Sequence, residues 1–253
     1  LDHLETTDSY GLRFCRLGAF NADGDLRGGW VLPYRTRAGF RYSTYFEYFY
    51  AGPVLHPDLE TGSVHGVNER NRVFQALAEA QGRRLHVIEA EGHPRLWDIR
   101  PLLERGWRVE PIYTYCWDME DPEAVFMSMN REKRRVIKRA RERLVFRFST
   151  DAADREAFLD LYRELVTKFD WVPLARWDED LRRRMEWLFE RDGGRLFTAR
   201  DEQGAFKAAV LILLSRDDRT AYFWRCAYRP DPEANTLVPA LYWSAATALR
   251  EEW

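Results

Sequence analysis

A turn followed by a strand with small residues near its start occurs once near the beginning of this chain and again near its end. The stretch FNADGDLRGGWVLPY at 20–34 is answered by ARDEQGAFKAAVLIL at 199–213. Gly24 matches Gly204, Leu26 matches Phe206, Arg27 matches Lys207, and Gly28-Gly29 match Ala208-Ala209. A glycine in the turn tolerates the positive φ that a tight reversal needs. In both copies a tyrosine-bearing extended run follows. The pattern reads as an internal duplication, and two unrelated hairpins are the competing reading, since turn-plus-strand segments are common. Either way the chain carries two turn-plus-strand units of similar pattern.

The remaining segments fit around these hairpins. Residues 12–20 read as the strand before the first turn, 25–36 as the strand after it, and 40–50 as a Tyr- and Phe-rich third strand. Val73, Leu77 and Ala80 recur at helical spacing and predict a helix over 68–81, closed by Gly82. Short strands are expected at 84–90 and, past a turn or short helix at 98–106, an extended run at 108–119, where Pro111 opposes a helix. A polar break at 118–130 separates the halves. The second half then reads as strand 144–149, helices near 153–169 and 178–191, strands 195–201, 206–215 and 220–228, and a helix near 236–251. This order gives an α+β architecture, a sheet covered by helices, with domains at 1–125 and 126–253. The chain opens on Leu1 rather than Met and closes at Trp253 directly after a helical pattern, so either domain is compatible with being incomplete.

Composition narrows the function classes. With 39 basic and 41 acidic residues the net charge of -2 gives no global attraction to nucleic acid. No GxGxxG or GxxxxGK[ST] cradle, HExxH cluster, CxxC pair or GxSxG elbow is present. A metal site and covalent catalysis are therefore not expected. No apolar run is long enough for a transmembrane helix, and no signal peptide opens the sequence. Three dispersed cysteines, Cys15, Cys116 and Cys226, read as thiols of a reducing compartment, the cytoplasm.

Three segments carry candidate chemistry. NREKRRVIKRARER at 130–143 is strongly basic, and on a helix Arg134, Lys138 and Arg141 share a face, with Arg135 beside them. Such a face suits a phosphate, a pyrophosphate or an RNA backbone, or it is a solvated face balancing acidic neighbours. In TAYFWRCAYRP at 220–230, strict alternation would put Tyr222, Trp224, Cys226 and Tyr228 on one face and Phe223, Arg225 and Ala227 on the other. Arg225 between aromatic residues calls for a carboxylate partner, from a ligand or from the protein, and Trp224 and Tyr228 would line a pocket or pack the core. Glu47 is the one acid in YSTYFEYFY at 42–50. Burial would raise its pKa toward that of a general base, and an ion pair with an arginine is the alternative. Phe169, Trp171 and Trp177 flank a loop and read as plugs for helix ends or as cover for a ligand.

The tandem layout, the basic stretch NREKRRVIKRA before a strand, Gly52-Pro53 after the first strands, and the late helix after Tyr228–Asn235 resemble the FemAB-like aminoacyl and acyl transferases. These form a branch of the acetyltransferase (GNAT) superfamily. The resemblance spans residues 10–253. It implies tandem GNAT-like domains, each a mixed, largely antiparallel sheet covered by helices. It also implies transfer of an activated acyl group to an amine on a small molecule or peptide. The donor would be acyl-CoA or aminoacyl-tRNA, with no tightly bound cofactor and tRNA as the implied partner. By the same resemblance, backbone donors near Tyr222–Tyr228 would receive the oxyanion. One departure stands out. The loop RPDPEANT at 229–236 has no glycine, two prolines and two acids, unlike the glycine-rich turn that grips the CoA pyrophosphate in acetyltransferases.

Overall fold

The computed structural model describes residues 13–43, 50–60, 64–93, 96, 98–168, 177–216, 219–229 and 234–252. The chain forms two compact units, Leu1–Tyr115 and Cys116–Trp253. Each contains an antiparallel sheet flanked by helices. Among the described residues no helix is long and apolar enough to cross a membrane.

In the first unit, β1 (Arg13–Phe20) pairs antiparallel with β2 (Leu26–Arg37). The other edge of β2 is shared by β3 (Phe40–Ser43) and the short β4 (Val54–Leu55). Helix α1 (Val64–Gly82) starts earlier than its apolar spacing predicts. It presents Val73, Leu77 and Ala78 to Cys15, Trp30 and Leu32 of the sheet. Trp30 is fully enclosed, and its indole N–H donates to the Ala51 carbonyl at 2.6 Å. A short helix α2 (Arg100–Leu103) follows, and Gly106 closes it at φ +77°. The strand expected at 84–90 does not form. Residues 84–90 hydrogen-bond to β3 through the backbone of His86, Val87 and Glu89 but make only a single parallel bridge, Tyr42 with Val87. The run 108–119 has no strand partner among the described residues, and Tyr113 and Tyr115 stand almost fully exposed.

The second unit opens with α3 (Pro122–Ser128) and α4 (Arg131–Arg143). Both starts are set by side chains that accept otherwise unpaired N–H groups. Asp121 Oδ1 accepts from Ala124 N–H at 3.0 Å, and Asn130 Oδ1 from Lys133 N–H at 2.8 Å. The chain passes directly from α4 into β5 (Leu144–Ser149), because Leu144 already has extended dihedrals. Helices α5 (Ala152–Lys168) and α6 (Trp177–Glu190) follow, then β6 (Gly194–Asp201), β7 (Phe206–Ser215), β8 (Thr220–Tyr228) and α7 (Ala234–Glu252). The sheet runs β5-β6-β7-β8, every pair antiparallel, with β8 at an edge. Because side chains alternate along β7, its two faces build two cores. Ala209 and Leu211 meet Phe158, Leu161 and Leu165 of α5 and Met185 of α6. Ala208, Val210 and Ile212 meet Leu237, Leu241 and Ala245 of α7.

The two hairpins marked by the sequence have the same turn. Asn21 N–H donates to Asp25 O and Gly24 N–H to Asn21 O; Asp201 N–H donates to Ala205 O and Gly204 N–H to Asp201 O. Asn21 Oδ1 accepts from the amides of Asp23 and Asp25, and Asp201 Oδ1 from those of Gln203 and Ala205. Gly24 and Gly204 sit at φ +89° and +81°. Each hairpin then has a bulge at the same place. Arg27 is skipped between Ala19↔Gly28 and Phe20↔Leu26, as Lys207 is between Ala199↔Ala208 and Arg200↔Phe206.

Candidate functional site at the edge strand of the second unit

Strand β8 pairs with β7 on one side and has no described strand on the other. An edge strand leaves alternate N–H and C=O groups unpaired and available to a ligand. The pairing also breaks in its middle: Leu211 is opposite Arg225 and Ile212 opposite Phe223, so Trp224 is an extra residue. A bulge of this kind bends the strand and re-aims the side chains around it.

That single insertion overturns the alternation expected for 220–228. Trp224 packs with Ala227 on the α5–α6 side of the sheet. Phe223 and Cys226 pack on the α7 side, and Tyr228 touches both cores. Trp224 and Cys226 therefore lie on opposite faces. The Arg225 guanidinium carbon stands 5.2 Å from the Trp224 ring centroid, a cation–π distance. Arg225 is half-buried and has no carboxylate partner among the described residues. Stacking on Trp224 thus supports its charge.

Behind β8, the Tyr242 phenol of α7 lies beside the Cys226 thiol, and the Tyr242 ring lies 5.0 Å from that of Phe223. Burial pushes the Cys226 thiol up to about 12, and burial also raises the Tyr242 phenol well above its usual value. Both groups stay protonated at neutral pH, so this cysteine is not a nucleophile. The sequence reading did not single out Tyr242. Its cue was the spacing of Leu241 and Ala245 on one apolar helix face, which leaves Tyr242 at the margin of that face.

Helix α4 packs against α7, with Ile137 and Ala140 seated on Ala240 and Trp243. Its cations fall into distinct surroundings. Arg134 Nη1 donates to the carbonyls of Met127 at 2.5 Å and Met129 at 3.1 Å, satisfying the C-terminal end of α3. Lys138 Nζ lies 6.0 Å from the Phe126 ring centroid. Arg135 and Arg141 are exposed. Elsewhere in this unit, Asp154 is buried where α5 meets the sheet. Burial would raise its pKa, but hydrogen bonds from Ser149 and Arg200 and the nearby Arg147 outweigh that and hold it below the usual carboxylate range. Asp98 does the same work in the first unit. Arg100 and Arg70 hold it at about 2. Glu47, the loop bearing Phe169 and Trp171, the Trp177 side chain and residues 230–233 of the proline-rich loop lie outside the described residues. No group of His, Cys, Asp and Glu among the described residues is arranged to hold a metal ion.

Comparison with known proteins agrees with this architecture. The acetyltransferase (GNAT) domain family matches residues 127–252. The crystal structure of FemX superposes with a TM-score of 0.65 at 11% sequence identity, covering 98% of this chain and 79% of that one. The C-terminal domain of a putative lysylphosphatidylglycerol synthetase from Agrobacterium fabrum gives a TM-score of 0.45 at 13% identity, over 94% of this chain and 67% of that one. L-PGS from Bacillus licheniformis gives 0.45 at 14% identity, over 100% and 68%. No curated protein sequence matches. The chain therefore has a FemAB/GNAT-like fold of two antiparallel lobes.

Proposed function

We propose that the second unit transfers an activated acyl or aminoacyl group to an amine at the open edge of β8. The observation that carries this reading is the Trp224 bulge in an edge strand. A regular edge offers evenly spaced donors. A bulged one turns neighbouring N–H groups out of register, where they can converge on one oxygen. The amine attacks the carbonyl of an ester or thioester donor, a C–N bond forms, and the C–O or C–S bond breaks. Backbone N–H groups of β8 receive the developing oxyanion. The nitrogen's proton is taken up by a carboxylate or by the substrate itself and passes to the departing oxygen or sulfur.

Arg225, stacked on Trp224 and without a carboxylate partner among the described residues, is assigned to an anionic group of the acceptor, with Tyr228 beside it. Arg135, Lys138 and Arg141 of α4 are assigned to the charged part of the donor, acyl-CoA or aminoacyl-tRNA; Arg134, tied to α3, contributes there through the helix it anchors. Incubating the chain with each donor and an amine-bearing peptide, then reading amide formation by mass spectrometry, tests the proposal. One donor should give product, and Arg225→Ala should raise KM for the acceptor about tenfold, the loss of one charge-assisted hydrogen bond, with a smaller change in kcat. Retention of a polyanionic or peptide ligand with no amide from either donor would make the unit a binding module instead.

A further inference from the structure

The matching hairpins make the faces of the two sheets comparable. Gly28 answers to Ala208, so Trp30 and Leu32 of β2 answer to Val210 and Ile212 of β7. Trp30 and Leu32 lie in the core beneath α1, and Val210 and Ile212 lie beneath α7. Each unit thus has a helix on the same face of its sheet. The opposite faces differ. In the second unit, Leu196, Ala209 and Leu211 are covered by Phe158, Leu161 and Leu165 of α5 and Met185 of α6. Their counterparts in the first unit are Arg16, Gly29 and Val31. Among the described residues none of these three joins a buried cluster, nor do Phe20 and Leu26 on the same face.

This face has a definite chemistry. Phe20 is 64% exposed and Leu26 53%. Both lean over Gly18: a Cβ there would lie 2.9 Å from the Phe20 ring and 3.2 Å from Leu26 Cδ1. Together with half-buried Val31 they make an apolar strip, and contiguous exposed apolar surface marks a site of association. Cations border the strip. Arg16 is exposed and opposite Val31 in the ladder, and alternation along β2 puts Arg35 on the face of Val31. The Arg35 Nε is shut off from solvent and has no hydrogen-bond partner among the described residues. A cationic donor in that setting calls for a carboxylate. A second copy of the same face would instead bring Arg16 and Arg35 against like charges. Helix α5 shows what fits such a surface. It lays an apolar stripe on its sheet, and its Asp154 takes Arg147 and Arg200 from the strands beneath.

We infer that the face of β1 and β2 opposite α1 docks an amphipathic helix of a partner protein. Its apolar stripe sits on Phe20, Leu26 and Val31, and its carboxylates meet Arg16 and Arg35. Docking in the first unit is independent of the transfer reading, which concerns β8 of the second.

The test uses the full chain and, as probe, a fluorescent peptide with the sequence of α5, AADREAFLDLYRELVTK, which carries both the stripe and the acids. Fluorescence anisotropy should show saturable binding in the micromolar range, weakened by added salt. Phe20→Ser with Leu26→Ser should lower the affinity at least tenfold. Arg16→Glu with Arg35→Glu should do the same and should bind a peptide whose acidic residues are all changed to lysine, which wild type rejects. Thermal unfolding checks that each variant keeps its fold; exposed Phe20 and Leu26 should leave it within a few degrees, which keeps that pair informative if the arginine pair fails to fold. No saturable binding, equal affinity for the lysine peptide, or unchanged affinity in the Phe20/Leu26 variant would each overturn the inference. So would three other occupants. Preference for phosphatidylglycerol vesicles would make the face a lipid surface. Self-association abolished by Phe20→Ser with Leu26→Ser would make it a dimer contact. Peptide binding that appears only after residues 1–12 are removed would give the face to the chain's own terminus.

Discussion

Strands β2 and β7 begin alike and part company at their middles. Each leaves a turn with the same four-way hydrogen bonding, passes a bulged cation, Arg27 or Lys207, and then presents a pair of small residues. Beyond that point the outer edge of β2 is divided. β4 covers Gly28-Gly29 and β3 covers Tyr34–Arg37, while Trp30–Pro33 between them have no described strand partner on that edge. β7 instead keeps one partner throughout, and the interruption shrinks to the single residue Trp224, opposite the Leu211–Ile212 step. The disruption falls at the matching place in both units. In the first it is large and the strand beside it is broken. In the second it is small enough to leave a continuous edge with one irregular point. On the proposed reading, the same hairpin serves as packing scaffold in the first unit and as the wall of a site in the second, and the pairing on its outer edge separates the two.

The small residues show which use each copy has. A Cβ on Gly28 would lie 2.8 Å from Val73 Cγ1 and 3.1 Å from the Val54 carbonyl, so the close approach of α1 and β4 needs glycine there. Ala208, its counterpart, is buried but accommodated. The largest effect should therefore come from Gly28→Val, which overpacks the first unit by about 3 kcal/mol, against about 1 kcal/mol for Ala208→Gly in the second. Urea unfolding of the two variants compares them; equal losses would break the distinction drawn here.

Acid should come next. The folded pKa of Asp98, at about 2, lies below its ordinary 3.8. Its stabilising contribution is thus complete above pH 4–5 and is lost as pH falls from about 4 toward 2, a change of about 2 kcal/mol. Asp154 shifts in the same direction, so both units should weaken on that side of neutrality. Asp98→Asn should remove the pH dependence of the first unit over this window, as followed by acid titration of tryptophan fluorescence. A smaller contrast separates neighbours on α4. Arg134→Ala should cost about 1–2 kcal/mol through two lost charged hydrogen bonds to carbonyls, while Arg135→Ala should stay within about 0.5 kcal/mol. The finest probe is the pair Gly24→Ala and Gly204→Ala. Nothing lies within 4 Å of either added Cβ, so only the positive φ is penalised, and both should lose the same amount, about 1 kcal/mol. Unequal values would count against equivalence of the turns.

The sequence disclosed elements whose signals are local. β7 and β8 stand where hydrophobic runs bounded by turn residues put them, and the basic segment forms one helix. What it hid depends on pairing between distant segments. Strict alternation failed in β8 because a bulge is a property of two strands, and nothing in FWRC announces which residue will be skipped. Residues 84–90 carry strand-like composition but meet β3 at a single bridge, since register with a partner decides strand formation. The basic helix was legible as charge. Which arginines are spent on α3 carbonyls and which face outward required knowing where α7 and α3 pack.

The central claim, that the Trp224 irregularity makes the transfer site, has a direct measurement. Deleting Trp224 restores regular pairing between β7 and β8, whereas Trp224→Ala removes the ring and keeps the extra residue. Rates of amide formation for the two variants, with circular dichroism to confirm that the sheet persists, separate backbone from side chain. The account predicts that the deletion abolishes transfer while Trp224→Ala retains a measurable rate. Undiminished transfer in a folded deletion variant would contradict it.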